Sequence, residues 1–350
     1  MKNEGNQNPK GKRLSLLIAA IVVIGALITA GYFGLFQIHS PKPTEKLTIA
    51  DGGSMHSAPL YVAFEKGFFK DEGLDVNVEP FLTGKIALDA VLGGKAHIAT
   101  AAETPIMFEF SKGKRILNIG TISDSLWINM VIGKKDRGIE TPKDLEGKRI
   151  AVSKGTSGEF FLDAMLIFHK IPREKVTIIG MALDKMKESL VKGNVDAVST
   201  WTPYADNIAE ELRQQVVSFS GQGIYKLTWN LVGMQEFIRK NPATVIKILR
   251  ACLKSEAFIR EYPEESRRIL AGRLNMEDGP KLIQYWNRYN FGLSLSTNLL
   301  LNLEDQARWE IRNKMIDRTT VPNFLDSFYF DGLKAVKPEA VTIVHKEEKP

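Results

Sequence analysis

From Leu47 onward, short apolar runs of strand length alternate with longer stretches whose apolar residues recur at helical spacing. This alternation predicts a mostly parallel sheet with crossover helices. Leu47 to Ala50 reads as a buried strand, Asp51-Gly52-Gly53-Ser54 as a polar turn, and the stretch around Pro59 as a helix. Leu60, Val62, Ala63 and Phe64 form its apolar face. Ser57 is placed as a cap, and Pro59 falls in the first turn, where a missing N–H leaves no bond unmade. Gly67 stops the helix, Phe68 and Phe69 pack back, and Asp75 to Val78 gives a second strand. Such a unit presents the N–H groups of a helix start at the carboxyl edge of a sheet, where ligands gather in open α/β folds. After Asn230 the pattern is nearly all helical through Arg318, and Ala340 to Val344 is a last extended segment before a charged tail, 346–350.

Two segments are rough copies of each other. Leu92-Gly93-Gly94-Lys95-Ala96-His97-Ile98-Ala99-Thr100 echoes Val191-Lys192-Gly193-Asn194-Val195-Asp196-Ala197-Val198-Ser199. Each reads as a helix end, a glycine stop and a buried strand leading to a polar turn. A Thr-Pro pair follows each, Thr104-Pro105 and Thr202-Pro203, and Thr141-Pro142-Lys143-Asp144 carries the same helix-start signal. The doubling implies two α/β lobes of similar plan. Two further strands, Trp127 to Ile132 and Trp229 to Gly233, are expected to join them.

The stretch LTIADGGSMHSAPLYVAFEKGFFKDEGLDV, which starts at Leu47, resembles the "PLY-A-KGFF--EGLDV" opening of the alkanesulfonate/nitrate/taurine/bicarbonate substrate-binding proteins of ABC importers. Those proteins share a domain with thiamine-precursor synthases. The resemblance covers nearly all of Leu47 to about Leu253. It implies a two-lobe periplasmic-binding-protein type II fold with two hinge crossings, the ligand lying between the lobes. On that plan lobe 1 is 47–126 plus 233–345 and lobe 2 is 127–232. Trp201-Thr202-Pro203-Tyr204 is similar to the family's "WEPY" segment, which faces the cleft, but Thr202 stands where Glu is common. That puts recognition of an ammonium there in doubt. His97 stands where the family has Asp in "G-x-x-D-I-A", and it reads as a satisfied structural histidine.

Residues 1–13 form a basic tail, and Leu14 to Phe36 is an uncharged run of about 23 residues, long enough to cross a bilayer. Lys10, Lys12 and Arg13 before it place the N-terminus in the cytoplasm and the rest outside. The run reads as one transmembrane anchor or as a cleaved signal segment with a fair site at Thr29-Ala30-Gly31. No cysteine directly follows it, which excludes a lipoprotein anchor. Residues 37–46, with Pro41 and Pro43, form a linker.

Composition adds little to this and removes several classes. The 350 residues are 44% hydrophobic and 25% charged, the balance of an ordinary globular protein with room for two cores. The net charge of +6 is spread along the chain without basic blocks interleaved with aromatics, so no nucleic-acid partner is expected. A single cysteine, Cys252, forbids an internal disulfide and reads as a buried small hydrophobe. The five histidines show no metal-ligand spacing, and there is no GxSxG elbow, no Walker loop and no GxGxxG, so no cofactor and no catalytic residue is expected. The cysteine-rich motif of the thiamine-precursor synthases is absent.

Five loops are positioned to hold a ligand. They are Ser54-Met55-His56-Ser57; Thr83-Gly84-Lys85 at the start of the helix 86–92; Ala102-Glu103-Thr104; Lys154-Gly155-Thr156-Ser157-Gly158 at the start of the helix 159–169; and Trp201-Thr202-Pro203-Tyr204. Hydroxyls and unclaimed N–H groups at helix starts suit an anionic oxygen group, and Lys85 adds a charge. The same Ser and Thr residues also serve as simple caps. Trp201 reads as core, rim or cleft wall, and Glu103 or Asp124 as an ammonium partner or a solvated acid. The expected role is extracytoplasmic capture of a small organic anion for an importer's permease and ATPase at the cytoplasmic membrane. The other roles open to this sequence are a pyrimidine-precursor synthase and a membrane-tethered sensor.

Overall fold

The computed structural model describes residues 44–221 and 223–345. All but Thr44 belong to one compact unit, Glu45–Pro350. The expected basic tail, membrane segment, most of the linker and the charged tail lie outside the described residues. Among the described residues no helix is long and apolar enough to cross a membrane.

Two sheets organise the chain. The opening unit is β1 (Glu45–Asp51), α1 (Ala58–Glu65), β2 (Leu74–Pro80), α2 (Gly84–Leu92), β3 (Ile98–Ala102), α3 (Glu103–Ser111) and β4 (Ile116–Ser125). Then come β5 (Asn129–Lys134), β6 (Arg149–Val152), α4 (Ser157–Phe168), β7 (Thr177–Gly180), β8 (Ala197–Trp201), α5 (Tyr204–Leu212), β9 (Val216–Ser220) and β10 (Leu227–Met234). The rest is mostly helical: α6 (Pro242–Glu261), α7 (Pro263–Leu274), α8 (Pro280–Trp286), a short β11 (Asn290–Ser294) and α9 (Thr297–Arg312). Lobe 1 carries the order β11-β4-β10-β3-β1-β2 and lobe 2 the order β7-β6-β8-β5-β9.

The doubling read from the sequence is visible in the pairing. In lobe 1, β1 runs parallel to β2 and β3, and β10 lies antiparallel between β3 and β4. In lobe 2, β6 runs parallel to β7 and β8, and β5 lies antiparallel between β8 and β9. Each sheet thus accepts, between two of its own strands, the strand that follows a passage between lobes. The strands expected to span the lobes therefore do not span them. Leu227–Met234 lies wholly in the first sheet, including residues 227–232 that the sequence reading gave to lobe 2. The passages themselves are short, 126–128 and 221–226.

Local signals hold where they depend only on neighbours. Gly67 takes φ 73° at the end of α1. Thr83 caps α2, its hydroxyl accepting from Ile86 N at 3.3 Å. Thr141 and Asp144 form a capping box on a 3-10 turn, Pro142–Leu145. Three start signals fail. Ser57 makes no cap bond, α3 begins at Glu103 so Thr104 is inside it, and α5 begins at Tyr204 with Pro203 at its cap position. Ser57 instead serves Asp51 and Trp229, and Thr202 N donates to Ile128 O at 2.9 Å. β11 interrupts the helical region because Asn290 and Phe291 pair with Asp124 and Ser123 of β4. Cys252 is a buried core residue, and burial pushes its thiol up to about 12.

The C-terminal helices belong to lobe 1 yet reach lobe 2. Trp309 Nε1 on α9 donates to Asp163 Oδ2 on α4 at 2.8 Å. Arg288, after α8, donates to Asp206 Oδ1 on α5 at 3.1 Å, and Lys281 pairs with Glu210. Asp163 is buried and also holds Arg173 through both oxygens at 2.7 Å. Burial outweighs these partners and raises the Asp163 carboxyl above its usual range. Trp309→Phe keeps an aromatic side chain but removes the donor together with part of the buried ring, and the hydrogen bond to a charged group alone contributes about 1.5–3 kcal/mol. The free variant should unfold at lower urea and show a larger radius of gyration by small-angle scattering. Values equal to wild type would mean that this bond does not hold the lobes together.

Candidate functional site

A buried carboxylate organises one wall of the space between the lobes. Asp51, the last residue of β1, is fully buried. Its Oδ1 accepts from the Ser57 and Thr100 hydroxyls, the latter at 2.7 Å, and its Oδ2 accepts from the Tyr61 hydroxyl and from Gly53 N at 3.0 Å. A buried charge needs such a set of donors, because its lost hydration is not otherwise replaced. The donors are then aligned in turn. Thr100 Oγ1 accepts from Gly52 N at 2.9 Å, and Ser57 Oγ accepts from Trp229 Nε1 at 2.9 Å. Burial, with the Asp51 charge beside it, raises the Tyr61 hydroxyl far above its ordinary range, so it remains a donor.

Trp229 lies where β10 faces the end of β3, opposite Ala102. Two glycines make room for its ring. A Cβ on Gly84 would stand 2.9 Å from the Trp229 ring and 2.8 Å from Ala101 Cα; one on Gly52 would stand 2.8 Å from the ring and 2.6 Å from Gly84. The corresponding place in lobe 2 is the pair Asn129–Trp201. Each lobe therefore turns one tryptophan toward the same space, from non-equivalent strands.

That space is a small cavity of about 30 Å³ that opens to solvent. Lobe 1 lines it with Ser54, His56, Thr83, Gly84, Lys85 and Trp229, together with Gly52, Ala102, Pro105 and Leu227. Ile128, Thr156, Ser157 and Trp201 close it from the other side. Two helix starts meet here. The first-turn N–H groups of α2, at Gly84 and Lys85, and of α4, at Ser157 and Gly158, have no intrahelical acceptor, and each helix start carries about half a positive charge. The remaining lining is mainly apolar.

The other sequence candidates sit elsewhere. Met55 is a fully buried core residue. Gly158 packs behind Trp201, and its carbonyl accepts from Ser199 Oγ at 2.7 Å. Tyr204, half-buried with its ring edge-on to Trp201, lines a neighbouring cleft with Gly53, Pro203 and Asn207. Thr104 is buried inside α3. Glu103 is neither a cavity group nor a solvated acid. It is fully buried and accepts from the Tyr225 hydroxyl, from Thr228 N and Oγ1 at 2.9 Å each, and from Gln306 Nε2 at 3.2 Å. Burial raises its carboxyl above the ordinary range despite these donors. Asp124 pairs with Lys226 at 3.0 Å.

Three lining residues have their polar groups partly committed. Lys85 Nζ pairs with Asp89 Oδ2 at 3.0 Å while its stem passes beside Gly155. Thr156 Oγ1 donates to Ser153 O at 2.7 Å. Ser157 Oγ reaches Asn129 Oδ1 at 3.4 Å, a long bond that leaves its N–H free. Among the described residues no group of three or more His, Cys, Asp or Glu side chains is arranged to hold a metal. His97 is satisfied away from the cavity, its Nδ1 accepting from Thr48 N at 3.0 Å. Trp229, with Gly52, Pro105, Ile128 and Leu227, lines the cavity without being among the candidates from sequence. The signal for Trp229 is its place early in the strand after the second passage, echoing Trp127 just before the first lobe-2 strand.

Asp51→Asn should destabilise the protein by more than Tyr61→Phe. The amide replaces an acceptor that two donors need, whereas the phenylalanine removes one bond to a charge, about 1.5–3 kcal/mol. Urea unfolding of both variants checks the order. Equal or inverted losses would remove Asp51 from its organising role.

A family model described as "NMT1/THI5 like" matches residues 54–266. A candidate aliphatic sulfonates-binding protein of Bacillus subtilis is 26% identical over 307 residues, covering 86% of this chain and 91% of that protein. The 4-amino-5-hydroxymethyl-2-methylpyrimidine phosphate synthase of Aspergillus parasiticus is 27% identical over 158 residues, covering 44% and 45%. The alkanesulfonate-binding protein of Xanthomonas axonopodis pv. citri, solved with MOPS bound, superposes with a TM-score of 0.69 at 16% identity, covering 82% of this chain and 99% of that one. The two-lobe fold is the one these binding proteins share, and with a family model spanning more than half of its length the chain belongs to the NMT1/THI5-like family.

Proposed function

We propose that the protein is the extracytoplasmic solute-binding component of an ABC importer, taking up a small organic anion such as a sulfonate or carboxylate between its lobes. The observation that carries this reading is the meeting of two helix starts, from opposite lobes, at one cavity walled by Trp201 and Trp229. The helix starts suit an anionic head group, and the apolar walls suit an organic body rather than a bare inorganic ion. Bonds from Asp163, Asp206 and Glu210 to the C-terminal helices support a closed form in which both lobes contact the solute. A hinge at 126–128 and 221–226 would release it. The closed form is what a permease would read. The pyrimidine phosphate synthase named above matches less than half of each chain, and the single cysteine is a core residue of α6.

Calorimetric titration with alkanesulfonates, carboxylates, nitrate and thiamine precursors tests the reading. Binding of a sulfonate or carboxylate is expected, and binding of a thiamine precursor alone would favour the enzyme branch. Trp201→Ala should weaken binding by about tenfold or more, equivalent to about 1.4 kcal/mol or more. Its melting curve should stay near that of wild type, because the side chain is half-buried at the cleft. A collapse in stability with unchanged affinity would make it a core residue.

The uncharged run Leu14 to Phe36 and its basic flank support tethering at the outer face of the cytoplasmic membrane. Cell fractionation should find the full-length chain in the membrane. A soluble product starting near Gly31 would overturn the tether in favour of cleavage.

A further inference from the structure

We propose that His56 is a solute-contacting residue, its Nε2–H donating a hydrogen bond to an oxygen of the solute's anionic head group. This rests on the anion reading above and assigns a specific donor within it.

The argument starts from an unbalanced side chain. His56 is 1% exposed and lines the cavity. Its Nδ1 is 2.5 Å from Ser123 Oγ on β4. Its Nε2 is buried and has no hydrogen-bond partner among the described residues. Burying a polar nitrogen without a partner is unfavourable, and such atoms are rare in folded proteins unless something else fills the role. The ring cannot swing away to find a partner. It stacks on Trp229 at 5.6 Å and meets the Tyr289 ring edge-on at 4.6 Å. Trp229 is itself fixed by Ser57 and so by Asp51. The imidazole is therefore held on three sides, and the nitrogen opposite Ser123 is the polar group it has left to offer.

Its protonation state decides what it offers. Burial pushes the imidazole down to about 3, so the ring is neutral at physiological pH. A neutral ring carries one N–H. The Ser123 hydroxyl can donate to Nδ1 or accept from it, so either tautomer is available in the empty protein. An anionic oxygen selects the one with hydrogen on Nε2, Ser123 then donating to Nδ1. The site gains a directed donor without adding a buried positive charge. This complements the helix starts, whose N–H groups favour negative charge without fixing the position of each oxygen.

The test uses propane-1-sulfonate, propionate and nitrate as probes with the full chain, by calorimetry. His56→Gln places an amide near the position of Nε2, and His56→Asn near that of Nδ1. Asn should weaken propane-1-sulfonate binding by about tenfold or more while Gln stays within about threefold of wild type. Wild-type affinity in both overturns the assignment and leaves the anion reading standing. Equal losses in both assign the ring's shape rather than Nε2, and also overturn it. A wild-type protein that binds none of the probes overturns the anion reading instead. The assignment of His56 is then read from melting curves without ligand. His56→Phe in a Ser123→Ala background removes the unpartnered nitrogen together with the partner of the other one. A melting temperature at or above that of Ser123→Ala alone supports a residue kept for binding. A lower one shows a structural role and overturns the proposal.

Discussion

The Asp51 carboxylate is the constraint on which the rest of the cleft depends. It is fully buried, so the chain must bring donors to it, and the donors come from β1's own turn, from α1 and from β3. Satisfying it fixes the first helix against the sheet. It also leaves Ser57 with one acceptor site pointing at β10, where Trp229 fills it. A single buried group therefore sets the position of an aromatic wall that belongs to a strand arriving from the other lobe.

This explains why the polar residues of the opening turn do not behave as caps. Ser57 stands where a helix cap would stand, but a charged acceptor inside the fold binds its hydroxyl more strongly than a backbone N–H would be bound by it. The same preference governs Glu103. Its place after β3 looks like a ligand position, yet Tyr225, Thr228 and Gln306 surround it, tying α3 to the second passage and to α9. Acidic side chains near the cleft are thus consumed by structure, and the groups left facing the cavity are N–H donors, a neutral imidazole and indole rings. Such a lining favours an anion by what it lacks as much as by what it has.

The two lobes share a plan but divide the work unequally. Lobe 1 holds both networks of buried acids and the long C-terminal helices, while lobe 2 contributes a helix start, Trp201 and Ile128. The connections between them are short, and side-chain bonds at the flanks, Trp309 to Asp163 and Arg288 to Asp206, join the lobes directly.

The sequence alone determined the alternation of strands and helices, the repeat of helix end, glycine and buried strand, and several helix starts and stops. These depend on residues a few positions apart: a glycine with positive φ at Gly67, a capping box at Thr141 and Asp144, a capping hydroxyl at Thr83. It also located eight cavity-lining residues, because helix starts at strand ends are local features. Tertiary structure decided what distant pairing controls. Ser57 and Trp229 are 172 positions apart, and Glu103 and Gln306 are 203. No periodicity links such positions. Likewise β11 became a strand only because the edge of β4 was there to pair with it, and His56 became an unpartnered donor only when Ser123, Trp229 and Tyr289 closed around it. Which hydroxyl caps a helix and which serves a buried charge is a competition between near and far partners, and only the folded chain brings the far ones within reach.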